Sequence, residues 1–268
     1  MLLVATDSGL AIAHDAATGH PVGPAIRLTA PIQAAAITAD GRRVVLGSRD
    51  GKVRVRDLAA GVQVGEEVKF PAAMVSVSFS ADERTVLGGS DDGRVRISDA
   101  ATGVVREPEL RHGGRMTSAL FRPDGRAVLT TGLDGFARLW DIEAGKPLIP
   151  PLNHHGPTLQ ASFRADGGQI LTTGHSTVTR LWDATTGVEA FNRDGAPVHQ
   201  NYIESAVYSP DGRVVVTGSL DRTAILWDLH GERRIGNTLP HPRKVIRVEF
   251  APDALTLSTL DDGGCVRL

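Results

Sequence analysis

The chain has 268 residues, of which 41% are hydrophobic and 22% are charged, and its formal net charge is −2. This composition is typical of a globular protein with an apolar core, and it excludes a disordered chain. Acidic and basic residues are nearly balanced, 31 against 29. We therefore expect no nucleic-acid partner, because binding to phosphates favours a basic surface.

The single cysteine, Cys265, excludes an internal disulfide framework and predicts a cytoplasmic protein. The first residues, MLLVATDSGLAIAHD, contain an apolar run that is too short to cross a bilayer and lacks a basic leader and a cleavage site. Every later apolar stretch is interrupted within a few residues by Gly, Asp or Arg. We therefore expect neither a membrane segment nor a targeting segment.

Three series of residues recur along the chain with one period. The intervals are 42 residues, with one interval of 45 in each aspartate series. The series are Asp15, Asp57, Asp99, Asp141, Asp183 and Asp228; Asp40, Asp82, Asp124, Asp166, Asp211 and Asp253; and Gly19, Gly61, Gly103, Gly145 and Gly187. The extra three residues fall between Gly187 and His199. A period of this length predicts a repeat architecture.

Each period contains four short strands. In residues 116–152 the runs MTSALF, RAVLTTG, FARLWD and KPLIPPL are separated by the turns RPDG, LDG and EAG. Alternating or β-branched runs joined by Asp-Gly turns predict antiparallel hairpins. Such a sheet buries both faces when similar sheets stack around an axis, which predicts an all-β propeller of four-stranded antiparallel blades.

In chain order, residues 1–28 supply three strands of a first, partial blade. Five full blades follow, and three strands of a last partial blade end the chain, which gives seven blade positions in a single domain over 1–268. The full blades are 29–70, 71–112, 113–154, 155–199 and 200–241, and the last partial blade is 242–268. Because the two ends lack different strands, we expect this chain to be part of a longer protein.

The segments FARLWD, TRLWD and AILWD resemble the signature of the WD-repeat β-propeller family. The resemblance covers the whole chain, and the linkers TGHPVGPAI and GKPLIPPL resemble those of bacterial WD-repeat proteins, some of which carry a kinase. No phosphate-binding loop or kinase motif is present in this sequence. The family implies a disc that binds other macromolecules and needs no cofactor.

The resemblance also implies a hydrogen-bonded tetrad of His, Ser or Thr, Asp and Trp in a blade. Two blades have all four residues, and a third has Ser176 where the aspartate belongs. The tetrad residues are His112, Thr130, Asp134 and Trp140; His199, Thr217, Asp221 and Trp227; and His154, Thr172 and Trp182. Two blades have Arg56 and Ser98 in place of the tryptophan. We expect those two blades to be locally less rigid.

A Thr, His and Asp in one chain could be taken for a hydrolase triad, and several histidines for a metal site. The tetrad repeats and contains a tryptophan, which only donates a hydrogen bond, so a structural role is favoured and no enzyme is predicted. The tetrad-position histidines belong to successive blades, and no metal-ligand spacing is present, so we expect no metal. These histidines are His112, His154, His199 and His241.

Function is expected on the loops of one face, which in this family carries the turn between strands two and three and the start of strand one. The predicted partner is a protein or a peptide. The candidate binding residues are Arg49, Asp91, Arg115, His175, Tyr202, Arg243 and Lys244, with Leu133 and Leu220 at equivalent turns.

Four of the candidates, Arg49, Arg115, Arg243 and Lys244, suggest a basic rim that favours acidic or phosphorylated segments. Two alternatives remain open. One is a structural blade array within a larger signalling protein, such as a kinase-linked chain. The other is a propeller enzyme.

Overall fold

A computed structural model describes residues 1–15, 18–190, 198–231, 233–251 and 255–268. Throughout these ranges the secondary structure is strands and turns, without a helix. The strands form seven small antiparallel sheets of three to five strands, the blades of a β-propeller, and this confirms the predicted fold class. Residues 191–197, which belong to the predicted insertion, and Asp253 lie outside the described residues.

The chain divides into two compact units. Unit 1 comprises Met1–Val128 and Trp140–Lys146, and unit 2 comprises Leu129–Leu139 and Pro147–Leu268. Blades 1 to 3 belong to unit 1, blades 5 to 7 belong to unit 2, and the division passes through blade 4. The predicted boundaries of a single domain and of its blades stay predictions.

Unit 1 contains three blades whose strands pair in sequence order. Blade 1 has three strands, and blades 2 and 3 have four each. The strands are β1 (Leu2–Ala5), β2 (Leu10–His14) and β3 (Pro21–Arg27); β4 (Ile32–Ile37), β5 (Arg43–Ser48), β6 (Lys52–Asp57) and β7 (Gln63–Lys69); and β8 (Met74–Phe79), β9 (Thr85–Ser90), β10 (Arg94–Asp99) and β11 (Val105–Arg111).

Blade 4 has five strands where four were expected. They are β12 (Met116–Phe121), β13 (Ala127–Gly132), β14 (Phe136–Asp141), β15 (Lys146–Pro147) and β16 (Leu152–Asn153). The segment KPLIPPL forms two short strands, and the second of them pairs Leu152 with Ala137 on β14. Pro150 and Pro151 separate the two because proline has no N–H to continue a ladder.

Unit 2 contains blades 5, 6 and 7, with three, four and three strands. Its strands are β17 (Thr158–Phe163), β18 (Gln169–Gly174) and β19 (Arg180–Asp183); β20 (Ile203–Tyr208), β21 (Val214–Ser219), β22 (Thr223–Asp228) and β23 (Arg233–Pro240); and β24 (Val245–Phe250), β25 (Leu257–Asp261) and β26 (Val266–Arg267). In blade 5, single bridges join Trp182 to Glu189 and Val178 to Val198, where a fourth strand was expected.

The aspartate series that includes Asp183 and the periodic glycines end strand three in a tight turn, whereas the series that includes Asp166 lies in the turn between strands one and two. In blade 5, the Asp183 carboxylate accepts the N–H groups of Thr185 at 3.0 Å and Thr186 at 2.8 Å. Gly187 closes this turn at a φ of 72°, a left-handed conformation that glycine adopts without steric cost. The 42-residue spacing of these aspartates and glycines therefore marks one kind of turn that recurs from blade to blade.

Within each unit, the apolar core lies between consecutive blades. In unit 1, residues of blade 1 pack with residues of blade 2: Ala11, Ala13 and Ile26 with Ile32, Val44 and Leu46. In unit 2, residues of blade 5 pack with residues of blade 6: Leu171 and Leu181 with Ala206, Tyr208 and Val215. In blades 2 to 6 the second strand is almost entirely buried, and each buried large side chain contributes about 1.5–3 kcal/mol.

Candidate functional site

In several blades, the turn between strands two and three is bonded to the residue that precedes strand one. The N–H of Asp91 donates to the carbonyl of Ala73 at 2.9 Å, and the N–H of Leu220 donates to that of Tyr202 at 3.0 Å. The same bond joins Arg49 to Pro31, His175 to Pro157 and Asp262 to Lys244. This edge of a blade is called the turn edge, and its turn residues are Arg49, Asp91, Leu133, His175, Leu220 and Asp262.

The turn edge of unit 1 carries an ion pair between consecutive blades. The Nε of Arg115, which precedes the first strand of blade 4, lies 2.6 Å from the Oδ1 of Asp91 in the turn of blade 3. Arg49 is exposed at the equivalent turn of blade 2. One cation of the predicted basic rim is therefore balanced by a predicted acidic candidate.

The turn edge of unit 2 carries a stacked pair of rings in the equivalent place. The rings of His175, in the turn of blade 5, and Tyr202, before the first strand of blade 6, have centroids 5.0 Å apart and an interplanar angle of 16°. Both side chains are exposed, Tyr202 to 43%. The structure thus brings together two of the predicted binding residues.

Unit 2 also contains a groove of about 350 Å³. Its walls include Leu133, Phe136, His155 and Pro157, and Leu133 is 39% exposed. Gly156, also in the wall, lies directly beside the main chain of His175. The groove therefore borders the main chain of one residue of the ring pair.

The remaining predicted binding residues, Arg243 and Lys244, precede the first strand of blade 7 and are exposed. The next residue, Val245, is buried against Gly218, at the end of the second strand of blade 6. These two cations of the predicted rim belong to unit 2, together with His175 and Tyr202.

Blade 6 contains a complete network of buried polar groups. The Nε1–H of Trp227 donates to the Thr217 hydroxyl at 3.2 Å, and this hydroxyl lies 2.7 Å from Nε2 of His199. The other ring nitrogen, Nδ1, donates to Oδ2 of Asp221 at 2.8 Å. The carboxylate fixes the imidazole tautomer, so the imidazole, the hydroxyl and the indole N–H of this blade 6 network each have a partner.

The pKa values in this network follow from burial and hydrogen bonding. Burial lowers the pKa of His199 below its ordinary value, although the bond to Asp221 acts in the opposite direction. Burial alone would raise the pKa of Asp221, but bonds from Thr223, from the Gln200 main chain and from His199 hold it below its ordinary value. A neutral imidazole therefore donates to a charged carboxylate.

Blade 5 contains the same network without the carboxylate. His154 Nδ1 lies 3.0 Å from the Thr172 hydroxyl, which accepts the Nε1–H of Trp182 at 2.9 Å. The buried Nε2 of His154 has no hydrogen-bond partner in the described part of the chain. Burial, followed by the charges of Arg180 and His155, lowers the pKa of His154 to about 4.

The histidines also connect consecutive blades through their main chains. The N–H of His154 donates to the carbonyl of Gly135 at 2.9 Å, and the N–H of His199 donates to that of Thr177 at 2.8 Å. Each of these carbonyls belongs to the turn of the preceding blade, whereas the imidazole enters the following blade. This geometry ties two blades together.

The residues of the predicted tetrad of blade 4 are divided between the two units. His112, Thr130 and Trp140 are buried. Asp134 accepts a hydrogen bond from Arg138 at 2.8 Å.

The residue that replaces the histidine in blade 3 was not recognised from the sequence. Phe70, 42 residues before His112, donates its N–H to the carbonyl of Gly51 as the histidines do in their blades. Its ring fills the space of the missing threonine, because a Cβ on Gly88 would lie 3.0 Å from the Cζ of Phe70. The 42-residue spacing is the signal that would have identified both positions.

Two kinds of feature are absent from the described residues. No group of three or more His, Cys, Asp or Glu side chains in that part of the chain is placed to hold a metal ion. Over the same ranges, no helix has the length and apolar character needed to cross a membrane.

Comparisons with known proteins agree with the fold. Three segments, residues 69–99, 108–141 and 196–228, match the family described as WD domain, G-beta repeat, whose propellers generally bind protein partners. The periodic tryptophan protein 2 homolog of Neurospora crassa is 34% identical over 65 residues, which cover 24% of this chain and 7% of that protein. The three matched repeats and the seven small antiparallel sheets together support a WD-repeat β-propeller.

Proposed function

We propose that this chain is a non-catalytic interaction domain that binds a protein or peptide on the turn edge. The observation that carries the proposal is the exposed, stacked pair of His175 and Tyr202, whose main chains are fixed by the hydrogen bonds of the turn edge. Exposed aromatic side chains on a rigid scaffold are typical of binding surfaces. A cytoplasmic location belongs to the proposal and is supported by the free thiol of Cys265.

The networks of blades 5 and 6 support a non-catalytic role. Thr172 and Thr217 are fully buried, and each hydroxyl is bonded to a tryptophan and a histidine. A nucleophile needs access to its substrate as well as an activating base. Each of these two hydroxyls has a histidine beside it as a base, but burial keeps a substrate from reaching it.

A second candidate function is a structural blade array in a larger signalling protein. The observation that favours it is the Asp91–Arg115 pair, because two charges that neutralise each other offer little to a charged partner.

Photo-crosslinking tests the proposed function. A photo-reactive phenylalanine derivative replaces Tyr202 on the turn edge or, as a matched control, Arg213, which is exposed in the hairpin at the other end of β21. We expect a covalent adduct with a host protein from position 202 alone. The captured protein is then identified and purified, and its Kd should rise in the Tyr202→Ala variant and stay unchanged in Arg213→Ala. Equal capture at both positions would support the structural array.

A further inference from the structure

We infer that the turn edge of unit 2 binds an extended peptide that combines one large apolar side chain with acidic residues. This inference rests on the proposed function and names the chemistry of its partner. Three neighbouring features carry it: the groove, the ring pair, and a set of exposed cations.

The groove provides the place for the apolar side chain. Its volume of about 350 Å³ is sufficient for an aromatic or a long aliphatic side chain, and its walls include Leu133, Phe136 and Pro157. The polar groups at its rim are largely used within the chain. Asn153 accepts the N–H of His155 at 2.8 Å, and Asp134 accepts a hydrogen bond from Arg138. An apolar group therefore enters the groove without separating a charge from its partner.

The ring pair extends this surface beyond the groove. Gly156, in the groove wall, lies beside the main chain of His175, whose ring stacks on that of Tyr202. Rigid aromatic rings lose little conformational entropy when a ligand packs on them. An extended peptide that leaves the groove therefore meets a flat aromatic surface.

The charge of the turn edge in unit 2 favours acidic residues. Arg222, Arg243 and Lys244 are exposed there. Among the acids of this edge, Asp134 is paired with Arg138, and Asp221 is held in the blade 6 network. Asp261 is buried and accepts N–H groups of its own turn, and Asp262 is exposed. The exposed charges of this edge that belong to no described ion pair are therefore mainly positive, and charge complementarity selects an acidic partner.

Fluorescence anisotropy with three labelled synthetic peptides tests the inference. The first peptide has a tryptophan flanked by glutamates, the second has glutamines in place of the glutamates, and the third has serine in place of the tryptophan. We expect the first peptide to bind at least about tenfold more tightly than either of the others. Its binding should also weaken as the salt concentration rises.

Variants of the full chain locate the binding site. Leu133→Ser and Tyr202→Ala should weaken binding of the first peptide about tenfold or more, and circular dichroism would verify their fold. Arg243→Glu should weaken the first peptide and leave the glutamine peptide unchanged. Arg213→Glu makes the same charge change at the opposite end of the strands and should have no effect.

The outcomes separate the inference from the proposed function. If the glutamine peptide binds as tightly as the first and both lose affinity in Tyr202→Ala, the acidic preference is wrong, and the turn edge remains a peptide site. If no peptide reaches saturation, or if Arg213→Glu acts as strongly as Arg243→Glu, the inference is wrong. The proposed function then depends on the crosslinking experiment alone.

Discussion

Blades 5 and 6 contain the same His–Thr–Trp chain and differ in its end. In blade 6, Asp221 accepts from His199 and also from the N–H of Gln200 at 3.0 Å. In blade 5, Asn153 accepts the N–H of His155, the residue equivalent to Gln200, and His154 Nε2 is buried without a partner. Asn153 thus replaces the aspartate as the acceptor of the main-chain N–H. No described group replaces the aspartate as the partner of the imidazole.

This difference has a physical consequence for protonation. A buried imidazole next to a carboxylate has an anionic partner that favours its charged form, whereas His154 has no such partner and Arg180 disfavours its charged form further. Blade 5 should therefore be the weaker of these two blades in acid.

The largest expected effect is a loss of stability in acid that originates in blade 5. The pKa of His154 is lowered from 6.5 to about 4, so the unfolded chain binds more protons than the folded chain between these values. The stabilisation is complete above pH 6.5 and falls as the pH drops towards 4, by about 3 kcal/mol. Urea unfolding at a series of pH values measures this loss.

Two controls assign the acid loss to His154. Its ring signal in NMR should titrate near pH 4 in the folded protein, and His154→Gln should flatten the dependence of the unfolding free energy on pH between 6.5 and 4. His199→Gln should flatten it less. A ring of His154 that titrates at its ordinary value would show that burial does not control its protonation.

The next effect is the loss of the carboxylate from blade 6. Asp221→Ala removes the partner of the buried His199 ring and of the Gln200 N–H, and we expect the free energy of unfolding to fall by about 2 kcal/mol. The matched variant Ser176→Ala in blade 5 removes only the acceptor of the Val178 N–H and should cost less than about 1 kcal/mol. Equal losses in the two variants would contradict the proposed role of Asp221.

Most of the fold could be predicted from the sequence because its turns are local. Asp183 and Gly187 act within their own turn, so the residue types alone identify it. The split fourth strand of blade 4 could not be placed from alternation, because Pro150 and Pro151 lie within an apolar run and their effect depends on the ladder that they interrupt.

The candidate site could be predicted in position but not in its pairings. The period placed His175 and Tyr202 near the same edge, whereas their stacking depends on the contact between two consecutive blades. The basic rim was predicted from charge alone, and the structure pairs Arg115 with Asp91. In blade 3, the Phe70 ring packs over Gly88 where other blades have a polar network. This packing needs both residues, so neither residue alone predicts it.

The smallest expected effect comes from adding the missing carboxylate to blade 5. Ser176→Asp places a carboxylate where blade 6 has Asp221, and we expect the His154 ring to turn its Nδ1–H towards it, as His199 does. The pKa of His154 should rise from about 4, and the free energy of unfolding near neutral pH should increase by about 1 kcal/mol. The gain is limited because Asn153 already accepts the His155 N–H. NMR titration and urea unfolding measure both changes, and an unchanged pKa would mean that the turn around Ser176 cannot bring a carboxylate to the ring.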